Sequence, residues 1–234
     1  PALFFVLIVS LPFSWLWLSP DSMKDFAQSL VAVTTFSSNI LFWQETGYWG
    51  TANELKPLLH TWSLAVEEQY YVLFPLFLML MWRFRKRWIL GSFMLVAVMS
   101  LFIAQWAAYN APTAAFFLLP TRGWELAIGA AIAFYFLYRK QEMRILLSHK
   151  YVDEVLAFTG LLMIIYAVFF FDKNTPTPSF YTLIPTLGAG LIIVFASTQT
   201  LTARLLSTKV FVGIGLISYS GYLWHQPLLA FSRH

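Results

Sequence analysis

A histidine, a serine and two adjacent carboxylates fall within one oily stretch, HTWSLAVEEQYY, His60 to Tyr71. Imidazoles and carboxylates move protons, and a serine hydroxyl both donates and accepts hydrogen bonds. Ionisable residues at bilayer depth cost about 2.5–3.5 kcal/mol each on insertion scales, so they mark a working site by default. On a helix, His60, Ser63, Glu67 and Tyr71 share one face. At roughly 1.5 Å of rise per residue, Glu67 sits about 10 Å below His60. That is too far for a direct hydrogen bond, so the two would flank the ends of a bound substrate. Glu68 points about 100° away, toward a neighbouring helix. Two readings stay open for either carboxylate alone: a functional group, or a structural one paired with a buried base or a backbone donor. His60 alone could be a solvated interfacial histidine. The full cluster, with Trp62, Gln69 and Tyr70, favours chemistry.

Two further polar motifs interrupt apolar runs. In LPTRGWELAIG, Leu119 to Gly129, Arg122 and Glu125 stand three apart. They either neutralise each other or present an arginine fork to an anionic or polyhydroxyl ligand. The small residues Ala127, Gly129, Ala131 and Ala133 read as close helix packing. In ISYSGYLWHQP, Ile217 to Pro227, Tyr219 and Tyr222 share a face, with Trp224, His225 and Gln226 beyond. Aromatic hydroxyls beside an imidazole suit a sugar; an interfacial aromatic belt is the plainer alternative. Pro227 leaves a carbonyl unpaired and can bend the helix.

The elements that must position these groups are membrane helices. The chain is 59% hydrophobic and 11% charged over 234 residues, against about 45–50% and about 25% in soluble domains. Seven runs, 2–19, 58–82, 88–107, 120–138, 153–171, 181–198 and 210–231, approach the ~20 residues that cross a bilayer. The expected fold is therefore an all-α polytopic bundle of about seven transmembrane helices. The polar segment 22–43, with Gln28, Thr34, Thr35, Ser37, Ser38 and Asn39, is expected as an outer-face amphipathic or re-entrant helix. Ten basic residues, Arg83, Arg85, Lys86, Arg87, Arg139, Lys140, Arg144, Lys150, Arg204 and Lys209, fall on one side by parity; that side is expected to be cytoplasmic. Lys24, Lys56, Arg122, Lys173 and Arg233 fall on or near the other. All three polar motifs then reach the outer leaflet. The net charge of +4 resides in short loops and does not point to nucleic acid. With no cysteine, disulfides, thiol catalysis and cysteine-ligated metals are excluded, and no metal site is expected. The first apolar run has neither a basic leader nor a cleavage motif of a signal peptide.

The segments LKPLLHTWSLAVEEQYYVLFP (55–75), LPTRGWELAIG (119–129) and ISYSGYLWHQPL (217–228), in this order, resemble the acyltransferase 3 family of membrane O-acyltransferases. Within it the resemblance is greatest to acetylases of lipopolysaccharide O-antigen and related surface glycans. It covers essentially the whole chain. It implies a bacterial inner-membrane protein of about ten spans, using cytoplasmic acetyl-CoA as acyl donor with no bound cofactor and a carbohydrate acceptor at the periplasmic face. It also implies a catalytic histidine, with an arginine upstream of it, before Pro1, and in many members a C-terminal SGNH-type domain. Residues 1–234 are thus expected to be a partial domain, inactive by itself. Glu67 with Ser63 would line the acyl channel and Glu68 would orient Glu67. His60, Trp62, Arg122, Glu125, Tyr219, Trp224 and His225 would hold the sugar. A proton-coupled transporter with Glu67 and Glu68 as relay carboxylates is the rival reading, and it lacks paired broken helices. A non-catalytic anchor for a partner enzyme is a third.

Overall fold

The computed structural model describes residues 1–46, 55–81, 83–84, 86–138 and 150–233. Of the ten basic residues expected on one side, Arg85, Arg139, Lys140 and Arg144 lie outside the described residues. Every regular element among the described residues is helical, in accord with the all-α expectation. The helices are α1 (Ala2–Trp17), α2 (Pro20–Thr34), α3 (Ser38–Glu45), α4 (Trp62–Met81), α5 (Lys86–Asn110), α6 (Pro112–Phe117), α7 (Leu119–Tyr138), α8 (Lys150–Phe170), α9 (Leu183–Phe195), α10 (Leu201–Leu206) and α11 (Lys209–Phe231). Single 3-10 turns, Leu59–Thr61 and Phe180–Thr182, lead into α4 and α9.

Among the described residues three helices are long and apolar enough to cross a membrane: Leu59–Met81, Trp88–Asn110 and Tyr151–Phe170. The chain is therefore a helical membrane protein. The expected runs 2–19 and 181–198 form shorter apolar helices, Ala2–Trp17 and Phe180–Phe195. α1 carries Pro12 in its interior. α7 and α11 have the length, 20 and 23 residues, but carry the polar motifs along it.

The chain divides into two compact units. The first comprises residues 1–76, 117–119 and 213–234; the second comprises 77–116 and 120–212. In the first, Ser19 starts α2 by accepting the Ser22 N–H, with Pro20 in the first turn, where its missing N–H costs nothing. α2 stops at an elbow, Thr35 to Ser37, where Phe36 takes φ 53°, the left-handed region that non-glycine residues seldom occupy. Segment 22–43 is thus two helices of 15 and 8 residues, each too short to span about 30 Å. A polar lattice holds the elbow. Gln69 Nε2 donates to the Phe36 carbonyl and to Asn39 Oδ1, both at 2.8 Å, and Asn39 Nδ2 donates to the Phe117 carbonyl at 3.1 Å. Ser38 donates to the Thr61 carbonyl at 3.0 Å.

In the second unit α8 and α9 pack backbone against backbone. A Cβ at Gly160 would stand 2.5 Å from the Gly188 carbonyl oxygen, and one at Gly188 2.7 Å from that of Gly160. Only glycine allows this approach, the small-residue packing characteristic of membrane helices. The predicted small-residue stripe on α7 is used differently: Ala127 is buried, while a Cβ at Gly129 would meet nothing within 4 Å. Ser100 joins α5 to α7 by donating to the Pro120 carbonyl at 2.6 Å and accepting the Trp124 N–H at 3.1 Å.

Candidate functional site

The 3-10 turn before α4 carries His60 inward, where it is 7% exposed. Its ring meets the edges of Tyr222 and His225 on α11, with centroids 5.2 and 5.4 Å away. Neither ring nitrogen of His60 has a hydrogen-bond partner among the described residues. A buried imidazole left without partners forfeits about 1–3 kcal/mol, so an unfilled pair of this kind is a binding opportunity rather than a packing choice.

Tyr222 organises the surroundings. Its hydroxyl donates to the His60 carbonyl and lies 2.7 Å from Ser63 Oγ. Its own carbonyl accepts from His225 Nδ1 at 2.6 Å, which makes Nδ1 the protonated nitrogen and leaves Nε2 of a neutral His225 a lone pair. Ser63 is one turn below His60 and shares Tyr222 with it, whereas Tyr71, expected on the same face, is 57% exposed. Glu67 and Glu68 follow, each half-buried, in electrostatic contact with each other. Glu67 also couples to Tyr222.

A second set of contacts braces the mouth. Lys56, buried, donates to Glu45 Oε2 at 2.6 Å and lies 5.9 Å from the Phe42 ring centroid. Gln226 Nε2 donates to the Lys56 carbonyl at 3.1 Å, tying α11 to the approach to α4. Lys56 is thereby neutralised within the fold.

The remaining predicted residues separate. Trp62 packs edge-on against Phe117, 5.6 Å between centroids. Trp224 faces α1, edge-on to Phe5 at 6.2 Å, and lines a cavity of about 210 Å³ with Ser10, Phe13, Trp17 and Phe231. Tyr219, expected beside the sugar, is 50% exposed, and Tyr222 occupies the interior instead. In the second unit Arg122 Nη1 meets both carboxylate oxygens of Glu125 at 3.3 and 3.4 Å. Its Nε donates to the Phe116 carbonyl at 3.2 Å, and its guanidinium lies 5.1 Å from the Phe116 ring centroid. Of the two open readings for Arg122, the geometry realises mutual neutralisation.

Sequence reasoning missed three features. Tyr222 had a visible signal, its offset of three from both Tyr219 and His225, but spacing did not say which tyrosine turns inward. The Asn39–Gln69 pair joins residues 30 apart, and Glu45–Lys56 joins residues 11 apart. Neither leaves a periodic trace. Among the described residues no three histidines or carboxylates gather as metal ligands.

As a device, the site offers an empty imidazole, a hydroxyl relay and a half-buried carboxylate, the parts needed to bind an alcohol and take its proton. Comparison with known proteins bears on the family of the chain. The chain is 28% identical over 237 residues to O-acetyltransferase OatA of Staphylococcus aureus, covering 99% of this chain and 39% of that protein. It is 24% identical over 240 residues to peptidoglycan O-acetyltransferase OatA of Listeria monocytogenes, covering 98% and 38%. The chain thus spans about two-fifths of the length of these relatives. No solved structure matches it. The acyltransferase domain model matches residues 1–234 throughout, and the chain belongs to the acyltransferase 3 family.

Proposed function

We propose that this chain is the membrane part of an O-acyltransferase that moves acetyl from cytoplasmic acetyl-CoA to a hydroxyl of an envelope carbohydrate. The observation that carries this reading is the buried His60 ring, unpartnered at both nitrogens among the described residues, against Tyr222, whose hydroxyl meets Ser63. An acceptor hydroxyl seated there would give its proton to the imidazole as it attacks the thioester carbonyl reaching it through the channel. The C–S bond then breaks and the imidazolium returns the proton to the departing CoA thiolate. Glu67 would stabilise the imidazolium that results, and Glu68 would hold Glu67 in place. His225, whose ring meets that of His60, is assigned to the sugar, whereas Trp62, Trp224 and Tyr219, which the fold turns elsewhere, are not. Arg122 and Glu125 are assigned to bracing α7. The family resemblance puts a further histidine and arginine outside these residues, and His60 and Glu67 would act beside them. We take a peptidoglycan sugar as acceptor ahead of the O-antigen sugar suggested by the motifs, because the Listeria relative is named for peptidoglycan.

The same reading places the chain in the bacterial inner membrane with seven crossings and with α2 and α3 on the outer face. The test is Glu67→Ala in the full-length protein, assayed in membrane vesicles with labelled acetyl-CoA and either glycan. Loss of transfer with the protein still in the membrane supports the role; transfer at the normal rate removes it. Solute counterflow in proteoliposomes without acetyl transfer would favour the transporter instead.

A further inference from the structure

The hydroxyl chain at the site has a direction. A tyrosine hydroxyl has one proton, and that of Tyr222 goes to the carbonyl of His60. The 2.7 Å contact between Ser63 Oγ and Tyr222 Oη must therefore be made by the serine's proton. With that proton spent, Ser63 meets any ligand as an acceptor only. Beside it, the neutral His60 ring offers one acceptor nitrogen and one N–H, both vacant among the described residues.

We propose that Tyr222 is the positioning residue that polarises this site, and that Ser63 is a hydrogen-bond acceptor for an incoming O–H rather than the carrier of the acyl group. The inference rests on the acyl-transfer reading and deepens it. The site then takes a ligand that donates twice, to Ser63 and to the His60 lone pair, and accepts once from the His60 N–H. Neighbouring hydroxyls of a sugar meet that pattern. A phosphate diester or a carboxylate, which have no proton to give at neutral pH, do not. Lys56, whose carbonyl Gln226 of α11 holds, is already bound to Glu45 and offers no free positive charge to an anion.

The experiment uses the full-length protein with four variants. Tyr222→Phe frees the Ser63 proton and should raise the KM for the glycan acceptor about 3–10-fold, the worth of one hydrogen bond, with kcat changed less. Replacement of Tyr222 by 3-fluorotyrosine keeps the hydroxyl and should restore the wild-type KM. Ser63→Ala should raise KM similarly, and adding it to Tyr222→Phe should cost little more, because the two act as one unit. No acetyl should be trapped on Ser63 when labelled donor is supplied without acceptor. A wild-type KM in Tyr222→Phe, additive losses, or acetyl found on Ser63 would each overturn the proposal. Its failure is distinguishable from failure of the acyl-transfer reading: the first leaves Glu67→Ala inactive, the second leaves it at the normal rate. The polarity is also tested without catalysis. The ¹⁹F resonance of 3-fluorotyrosine at position 222 should move on Ser63→Ala, and an unmoved resonance would overturn the coupling whatever the activity.

Discussion

The four groups that matter most, His60, Ser63, Tyr222 and His225, differ in how far their types alone revealed them. His60 and Ser63 were legible because an offset of three puts them on one helical face whatever surrounds them. His225 was legible as an imidazole near Pro227. Their meeting was not, since residues 63 and 222 are joined by 159 positions of chain and one hydroxyl contact. His60→Phe should fill the buried space, leave the protein folded, and lower acetyl transfer at least tenfold in labelled-acetate assays; unchanged transfer would remove His60 from the reaction. Arg122 and Glu125 lead to the opposite expectation. Because each satisfies the other at the start of α7, Glu125→Ala should cost about 1–3 kcal/mol, seen as a lower melting temperature in detergent. Acetyl transfer by the surviving folded protein should be near normal. Asp172 shows the same economy outside the bundle. The Asn174 N–H, then the Thr175 hydroxyl, hold its carboxyl below the ordinary value of about 3.9. A lowered value means the turn is stabilised above the unfolded-state figure and loses that help as pH falls through the folded one. Protection of the Asn174 and Thr175 amides from exchange should therefore disappear at acid pH, and protection independent of pH would contradict this.

At the level of helices, hydropathy located the long segments, three of which are long and apolar enough among the described residues to cross a membrane. α5 and α8 read as crossings in both sequence and structure because their few polar residues leave a long, strongly apolar window. α7 and α11 have the length, but their polar motifs lower the apolar average that sequence reading relied on. The break inside 22–43 was foreshadowed by polar composition, whereas its position at Phe36 was not; no glycine marks it. Gln69 and Asn39 hold that elbow, and Gln69→Ala would leave the Phe36 carbonyl and the Asn39 amide short of a partner. The expected cost is about 1–3 kcal/mol, read by thermal unfolding, with greater protease sensitivity near residue 36. Gly160→Val should be more damaging, since its Cβ alone would press on a backbone carbonyl. Overpacking of this kind costs about 1–3 kcal/mol or more. The matching test is the yield of folded protein from detergent; an undiminished yield would mean the crossing is not as close as 2.5 Å implies.

For the molecule as a whole, the lack of any cysteine makes its topology directly measurable. Single cysteines introduced by Arg83→Cys and Lys173→Cys should label from opposite sides of sealed cells with an impermeant maleimide, the latter from outside. Labelling of both from one side would undo the proposed seven crossings and, with them, the proposed outer location of His60. The chain's two units each contain their own fastening, polar in one and steric in the other. The steric one has a consequence for the lipid. Where the backbones at Gly160 and Gly188 approach so closely that neither leaves room for a Cβ, no acyl tail can slip between the two rods, and α8 and α9 meet the bilayer as one joint surface.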